Sequence, residues 1–393
     1  MVAATGLPLR ERVERDGFEW RELTLGRGTN LGVSRPEAQA GAEADHLRGF
    51  FAATRVGAIE TLLYQAERRA DDLLWQPEAV ARQLAPILDA LQPDRVITDH
   101  VSLTATTALR GLGEPFDTFV PGHPSQLPVG NERYGAPPAW PAALLPSGFE
   151  RARLLDRCRT VTERIADQFN AAVRAIGAGA ADVDDPFRVH GERVLYNYPE
   201  ALHDPTRARS LPAGASFLGS CVRDEDLPRQ LENAVADLGV RSFVYVSFGT
   251  FLSQRDDVLA VVADGLRAAG VVAAIATGPT PSSRLGLLPA SWIVAPELPQ
   301  VALLRHASVM ITHAGNNSVG EAIRAGVPML ALPFSTDQFA IAADLERLGV
   351  GRCLDPNALS RSLVSDCVAG LTAGPERAAV RQLAETLSAP FDE

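Results

Sequence analysis

The residues best suited to chemistry lie in the stretch 311–338, ITHAGNNSVGEAIRAGVPMLALPFSTDQ. A short apolar strand ends at His313, the small residues AGNN follow, and a helix is predicted over Ser318–Ala325 with Gly326 closing it. Unpaired backbone N–H groups at a helix start attract anions, and small residues in front of them let a ligand approach the backbone. The pattern therefore predicts an anion site that is suited to a diphosphate.

Several of these polar residues also have a purely structural interpretation. Ser318 with Glu321, and Ser335 with Gln338, have the spacing of helix capping boxes, which need no ligand. Taken singly, these four residues favour the structural interpretation. A histidine at a strand end beside an open anion site is more often a ligand contact than a packed core residue, so His313 favours the ligand interpretation.

Short apolar runs alternate with helical stretches along the chain, the pattern of parallel α/β domains. Strands are predicted at Val2–Ala4, Glu19–Leu23, Arg95–Thr98, Asp117–Val120, Val271–Ala276, Trp292–Val294, Val309–Thr312 and Met329–Leu332, and within RSFVYVSFGT. Helices are predicted at about Arg48–Leu74, Pro77–Leu91, Arg255–Ala268 with Ser253 as its cap, and Pro375–Leu387. We expect two domains, 1–215 and 242–374, joined by a linker at 216–241 and followed by a C-terminal segment, 375–393, that crosses back to the first.

The composition limits the classes of partner. The chain has 393 residues and a net charge of −11, and all of its Lys and Arg positions are arginine. An acidic chain without lysine argues against nucleic acid or an anionic membrane as partner, and it lacks the lysine of a P-loop. The four cysteines are far apart, and neither a signal peptide nor an apolar run of membrane-spanning length is present. We expect a cytoplasmic protein without integral membrane association.

The run PQVALLRHASVMITHAGNNSVGEAIRAGVPMLALPFSTDQ resembles the donor-binding signature of nucleotide-sugar-dependent glycosyltransferases of the GT-B fold. These include plant natural-product enzymes and bacterial macrolide and antibiotic enzymes. The strand VYVSFGT and the order of strands across nearly the whole chain are also similar to that family. The resemblance implies an α/β fold of two Rossmann-like, doubly wound parallel-sheet domains that face each other across a cleft. It also implies transfer of a hexose, with inversion, from a UDP- or TDP-sugar to a hydroxyl of a hydrophobic small molecule such as a natural product or lipid.

The resemblance also implies which residues would contact the donor. The diphosphate would be bound by His313 and lined by Gly249, Thr250, Gly315, Asn316, Asn317 and Ser318. The base and ribose would lie beside Leu298, Pro299 and Gln300, and Glu321 would bind the ribose hydroxyls. The transferred sugar would be bound by Asp337 and Gln338. Glu297 replaces the stacking tryptophan of the plant signature, which leaves uracil and thymine donors both open.

The chemistry that the resemblance implies needs a general base and no metal or other cofactor. The helix start and His313 would stabilise the departing diphosphate in place of a cation, and the Asp-x-Asp strings 182–184 and 224–226 are typical of solvated connecting segments. In the family, a histidine after the first strand deprotonates the acceptor, and Asp99 falls on the aspartate that orients it. His123, in VPGHPSQLP, is a weaker candidate for this base, and acceptor contact or a structural role in its loop is favoured for it.

The resemblance leaves no counterpart for the family's first strand, because MVAATG and DGFEWREL match its second strand and the segment after that strand. The first strand is central in a sheet ordered 3-2-1-4-5, so its loss would open a gap in that sheet. We therefore expect that the gene starts upstream of Met1 and that the general base lies in that upstream part. Two other functions stay open: a catalytically silent nucleotide-sugar-binding homologue, and a GT-B-fold epimerase of nucleotide sugars.

Overall fold

The computed structural model describes residues 1–26, 41–177, 179–219, 221–229, 231, 232, 235 and 243–387. Its strands form parallel sheets, two in the first half of the chain and one in the second. Among the described residues, no helix is both long and apolar enough to cross a membrane. The α/β architecture with parallel sheets agrees with the alternating pattern of the sequence.

The first half contains a two-stranded and a four-stranded sheet. The strands are β1 (Val2–Thr5), β2 (Glu19–Glu22), β3 (Ile97–Asp99), β4 (Asp117–Val120), β5 (Val194–Tyr196) and β6 (Ala215–Phe217). β1 pairs with β2, and the other four are ordered β3-β4-β5-β6. The four predicted strands are confirmed, whereas β5 and β6 were not predicted. β3 lies at an edge of its sheet, and its residue Ile97 is 57% exposed.

The second half contains one six-stranded sheet. Its strands are β7 (Phe243–Ser247), β8 (Val272–Ala276), β9 (Ile293–Ala295), β10 (Ala307–Thr312), β11 (Met329–Ala331) and β12 (Gly351–Cys353). The order is β12-β11-β10-β7-β8-β9, so the chain moves outward from β7 on one side and from β10 on the other. Every residue of β7 is buried, as expected for a central strand that helices cover on both faces.

Helices fill the connections between the strands. In the first half they are α1 (Arg10–Arg15), α2 (Gly41–Val56), α3 (Ala58–Asp72), α4 (Pro77–Leu91), α5 (Leu103–Leu112), α6 (Gly148–Ile176) and α7 (Pro205–Ala208). In the second half they are α8 (Gly249–Leu252), α9 (Asp256–Ala269), α10 (Gln300–Leu304), α11 (Asn316–Arg324), α12 (Gln338–Arg347), α13 (Arg361–Ala373) and α14 (Glu376–Leu387).

Two helix predictions were wrong in detail. The single helix predicted at 48–74 is two helices, α2 and α3, because Gly57 has a φ of 152° that breaks the helical path. The predicted cap of α9, Ser253, lies in the preceding turn, where its hydroxyl donates to the carbonyl of Gly249. Arg255 occupies the N-cap position instead.

The two halves pack directly against each other. A single buried cluster contains Val120 and Tyr196 of the first half together with Tyr245 and Met310 of the second. α14 contacts the turn at Glu200–Leu202 of the first half. The linker predicted at 216–241 lies partly outside the described residues.

Two buried histidines help to set the stability of the first half. His100 is 4% exposed, and its Nε2 atom lies 2.7 Å from the carbonyl oxygen of Gln126. Burial lowers the pKa of His100 to about 4. Burial, together with the nearby side chains of His123 and Arg207, lowers the pKa of His203 to about 3. Both side chains are therefore neutral at pH 7, as the structural interpretation of such buried residues requires.

These histidines predict that the free energy of unfolding falls as the pH drops from 7.5 to 5. The unfolded imidazole, with a pKa of about 6.5, takes up a proton in this range while the folded one does not, so each contributes about 2 kcal/mol of lost stability at pH 5. Denaturant unfolding at both pH values measures this loss. His100→Gln should reduce the loss, and the exposed His306→Gln should leave it unchanged. Equal stability of the wild-type protein at both pH values would contradict the prediction.

Candidate functional site

The predicted anion site lies where the six-stranded sheet reverses its strand order. β7 and β10 are neighbours at its centre, and their successors lie on opposite sides. The connections that leave the carboxyl ends of two such strands diverge, and the crevice between them is the usual ligand site of an open α/β sheet. Gly249 follows β7 and His313 follows β10, so both residues stand at this crevice.

The imidazole of His313 lies between two glycines. A Cβ atom on Gly315 would be 2.4 Å from Nε2 of His313, and one on Gly249 would be 3.5 Å from its Cε1. Gly249 has a φ of 68°, and Ala314 has the left-handed φ of 63° that costs energy for a residue with a side chain. The turn after β10 thus holds the ring at a fixed place beside the backbone of α11.

The ring of His313 is neutral at physiological pH. Burial lowers the pKa of His313 to about 4, against the opposing effects of the Ser247 backbone and the Asp337 carboxylate. A neutral imidazole binds an anion as an N–H donor and not as a cation. It becomes a cation only where the bound anion raises the pKa of the imidazole. The positive character of the crevice therefore comes mainly from backbone amides.

The start of α11 provides these amides. Its N-cap is Gly315, and the first α-helical hydrogen bond to the Gly315 carbonyl comes from the N–H of Val319. The N–H groups of Asn316, Asn317 and Ser318 have no acceptor within the described ranges. The helix was predicted to begin at Ser318 with a capping box to Glu321, and this prediction was wrong. The helix starts two residues earlier, so the Ser318 side chain is inside it rather than at its cap.

The side chains of the two asparagines connect α11 to the first half of the chain. Nδ2 of Asn316 donates to the carbonyl oxygens of Pro121 (2.8 Å) and Asn197 (2.6 Å). The Asn197 amide approaches Oδ1 of Asn317 at 3.4 Å. The predicted diphosphate contacts of Asn316 and Asn317 are therefore left to their backbone N–H groups, while their side chains hold the two halves together.

The predicted ribose contact, Glu321, is 4% exposed and already has partners. The Gln300 amide donates to Glu321 and, at 3.1 Å, to Ser318, and Nη1 of Arg223 lies 3.2 Å from the Glu321 carboxylate. Burial raises the pKa of Glu321, although Gln300 and Arg223 oppose the shift. The sequence interpretation missed Arg223, which no local pattern marks, because its role depends on a contact across the linker.

The predicted sugar contacts lie at the start of α12. Asp337 accepts hydrogen bonds from the backbone N–H of His123 (2.9 Å) and from the Gln126 amide (3.2 Å). Oε1 of Gln338 accepts from the N–H groups of Phe334 and Ser335, so this oxygen is structural. The Asp337 carboxylate thus faces a loop of the first half, as a group between two substrates would.

His123 is not available as a base or as an acceptor contact, and both of these predictions were wrong. Its side chain is buried, with Nδ1 2.8 Å from Oγ of Ser125 and Nε2 3.2 Å from Oδ2 of Asp344. The Tyr198 hydroxyl donates to the same Asp344 oxygen at 2.8 Å. His123 is part of the contact between the two halves, a role for a buried side chain that the sequence did not indicate.

Asp99 lies at the exposed end of β3. Oδ1 of Asp99 accepts the N–H of Val101 at 2.9 Å, and burial of part of the carboxyl raises its pKa despite this hydrogen bond. Within the described part of the chain no imidazole is hydrogen-bonded to Asp99. Thr250 is exposed next to Gly249, and Leu298 is partly buried before α10, so their predicted contacts with the donor stay predictions.

A cavity of about 360 Å³ opens between the two halves beside Asp337. Its lining includes His46, Phe50, Arg69 and Tyr134 of the first half and Phe251 of the second. None of these residues was singled out from the sequence, because they are spread over α2, α3, α8 and the segment 121–147 between β4 and α6. The volume is within the range of small-molecule sites. No group of three or more His, Cys, Asp or Glu side chains among the described residues is arranged to hold a metal ion.

Comparisons with known proteins agree with this geometry. Residues 209–377 match the family described as UDP-glucoronosyl and UDP-glucosyl transferase. The oleandomycin glycosyltransferase of Streptomyces antibioticus is 28% identical over 87% of this chain and 70% of its own length. The anthocyanidin 3-O-glucosyltransferase of Hordeum vulgare is 38% identical over 38% of this chain, a match that spans 34% of the barley protein.

Solved structures extend the similarity to the whole chain. The calicheamicin glycosyltransferase CalG4 matches with a TM-score of 0.65 and 17% identity, covering 98% of this chain and 86% of CalG4. The glycosyltransferase VinC, in complex with DTDP, matches with a TM-score of 0.60 and 18% identity, covering 99% of this chain and 95% of VinC.

The fold is therefore that of the GT-B glycosyltransferases, as the sequence resemblance implied. The match to the UDP-glucoronosyl and UDP-glucosyl transferase family covers the part of the chain that contains β10 and α11.

Gly315→Ala should lower the free energy of unfolding by about 1–3 kcal/mol, because the new methyl group overlaps the His313 ring, which Gly249 confines on its other side. Gly148→Ala is the matched control, since a Cβ there meets no atom within 4 Å. Denaturant unfolding of both variants tests this. Equal effects of the two substitutions would show that His313 is not confined.

Proposed function

We propose that this protein is a glycosyltransferase that moves a hexose from a UDP- or TDP-sugar to a hydroxyl of a hydrophobic small molecule. The observation that carries the proposal is the position of His313 between Gly249 and Gly315, beside the unpaired amides of α11. A cavity between the two halves, lined by Asp337, offers room for a second substrate. The similarity to glycosyltransferases that act on small molecules, one of them solved with DTDP, supports the same function.

The diphosphate of the donor would lie on the start of α11. Three backbone N–H groups and an N–H of His313 would bind its oxygens, and the negative charge that develops on the leaving group would be stabilised by donors already in place. Preorganised amides of this kind can serve without a divalent cation, so we propose a metal-independent reaction. The acceptor would approach from the cavity, on the face of the sugar opposite the diphosphate, which gives inversion.

His46 is our candidate for the base within this chain. It is the histidine that lines the cavity among the described residues, and its backbone carbonyl is held by the Tyr64 hydroxyl at 2.8 Å. The acceptor hydroxyl would give its proton to the imidazole while its oxygen bonds to the anomeric carbon. In the same step the bond from that carbon to the phosphate oxygen breaks, and its electron pair leaves with the diphosphate.

Titration calorimetry in buffer with a chelator tests the donor site. The protein should bind TDP or UDP, and His313→Ala should weaken this binding by about 10- to 100-fold, the effect of one hydrogen bond to a charged group. His306→Ala, an exposed histidine outside the crevice, is the control and should bind normally. Unchanged affinity of His313→Ala would remove the imidazole from the diphosphate site, and no binding of either nucleotide would refute the proposed function.

A transfer assay with a panel of hydroxylated aromatic acceptors tests the base. His46→Gln should reduce kcat by about 10²–10⁴-fold with little change in the donor KM, because a general base contributes that much. His190→Gln, an exposed substitution, should retain activity. Full activity of His46→Gln would place the base elsewhere. Donor binding without transfer or epimerisation by the wild-type chain would favour the catalytically silent homologue.

A further inference from the structure

Two arginines of α3, Arg68 and Arg69, line the cavity next to Asp337. Glutamates of the same helix do not neutralise them, because Glu60 and Glu67 pair with Arg153 and Arg157 of α6. In the part of the chain whose side chains are described, neither cavity arginine forms an ion pair with a carboxylate. Positive charge without a partner in the wall of a cavity is a feature that a bound anion would explain.

The guanidinium of Arg69 is held in one place. It lies 4.8 Å from the ring centre of Tyr134, and Nη1 is 3.3 Å from the Tyr134 carbonyl oxygen. Tyr134 itself stacks on Phe187 at 4.1 Å with the rings nearly parallel. The stack fixes the plane of the guanidinium. The Tyr134 carbonyl and the Cys158 side chain engage some of its five N–H groups, and others remain for a ligand.

The absence of a side chain at Gly135 leaves room for the Arg69 guanidinium. A Cβ atom there would lie 1.8 Å from Nη1 of Arg69, and Gly135 has a φ of 86° that disfavours other residues. The backbone therefore leaves space for the guanidinium and for no side chain. This close fit keeps the charge at the cavity wall instead of letting the long side chain turn to solvent.

One turn before Arg69, Gln65 also lines the cavity. Residues four apart lie on the same face of a helix, so the Gln65 amide is a neighbour of the guanidinium. Its Oε1 atom is buried and has no hydrogen-bond partner among the described residues. A buried oxygen of this kind is costly unless a ligand supplies a donor, so it indicates a bound ligand without specifying the charge of that ligand.

The other residues that line the cavity indicate which further properties a ligand of this cavity should have. Leu47, Phe50 and Phe251 form an apolar part, with the rings of Phe50 and Phe251 5.1 Å apart. Asp337 brings a carboxylate to the part of the lining contributed by the second half. An anion is repelled by Asp337 and attracted by α3, which orients any molecule that carries a single negative charge.

We propose that the acceptor is an apolar, preferably aromatic, compound with an anionic group such as a carboxylate. Arg69 and Arg68 bind this group, and the neutral end with the reacting hydroxyl points toward Asp337. This inference rests on the proposed function, because it treats the cavity as the acceptor site. Beyond the proposed function, the inference specifies the charge of the acceptor. Neither the fold nor the crevice beside His313 specifies that charge.

Equilibrium binding of 6-hydroxy-2-naphthoic acid and of its methyl ester, without donor, tests the inference. The acid should bind about 10- to 100-fold more tightly than the ester, as expected for hydrogen bonds to a charged group. Arg69→Gln and Arg68→Gln should each reduce this preference. Arg305→Gln, an exposed arginine outside the cavity, should retain it. If Arg69→Gln does not fold, the exposed Arg68→Gln decides the test.

Equal binding of acid and ester, or a preference that persists in Arg68→Gln, would overturn the inference. Nucleotide binding measured on the same preparations separates this failure from failure of the proposed function. A protein that binds TDP or UDP but does not distinguish acid from ester keeps its donor site and loses only the anionic acceptor. A protein that prefers the acid and binds neither nucleotide keeps the cavity assignment and loses the glycosyltransferase.

Discussion

The rest of the site depends on one constraint: the first backbone N–H groups of α11 must stay unpaired while lying between two packed halves. An ordinary helix start covers such groups with a capping side chain. Here Gly315 is the cap and offers none, and the histidine before it is confined by glycines. Ala314, in the turn before α11, and Thr336, in the turn before α12, have φ values of 63° and 51°. Strain of this kind costs on the order of 1–3 kcal/mol per residue and persists where the surrounding structure enforces it.

Contacts between the two halves hold the crevice beside His313 at a fixed position relative to the cavity. Asn316 donates to two carbonyls of the first half, and Asp344 is approached by both His123 and Tyr198. Arg255, 1% exposed, donates to the Thr54 carbonyl at 2.9 Å. These are buried polar contacts, which fix a relative position by geometry more than they add stability. Asn316, whose backbone N–H would bind the donor, thus also positions the first half of the chain through its side chain.

The sequence predicted those helices and strands whose apolar residues recur at a clear period, and it missed several strands that lack such a pattern. The strand Asp117–Val120 and the helix Pro77–Leu91 have their predicted limits, because an apolar pattern and a terminal proline define them locally. β5, β6 and β12, three residues each, were missed.

The site was predictable where its residues follow strands and unpredictable where partners are distant. His313 and Gly249 stand at adjacent strand ends, so sheet order alone brings them together. The role of His123 is set by Asp344, which is 221 positions away, and nothing near His123 indicates that contact. The cap expected at Ser318 failed because the helix begins two residues earlier, at Asn316, and Gln300 of another helix binds the Ser318 side chain.

The most direct test of this account is a titration with inorganic pyrophosphate followed by the amide NMR signals of the protein. The account predicts that the largest shifts occur at the N–H groups of Asn316, Asn317 and Ser318 and that the ring of His313 shifts with them. Saturable binding that leaves these amides unchanged and shifts signals elsewhere would contradict it.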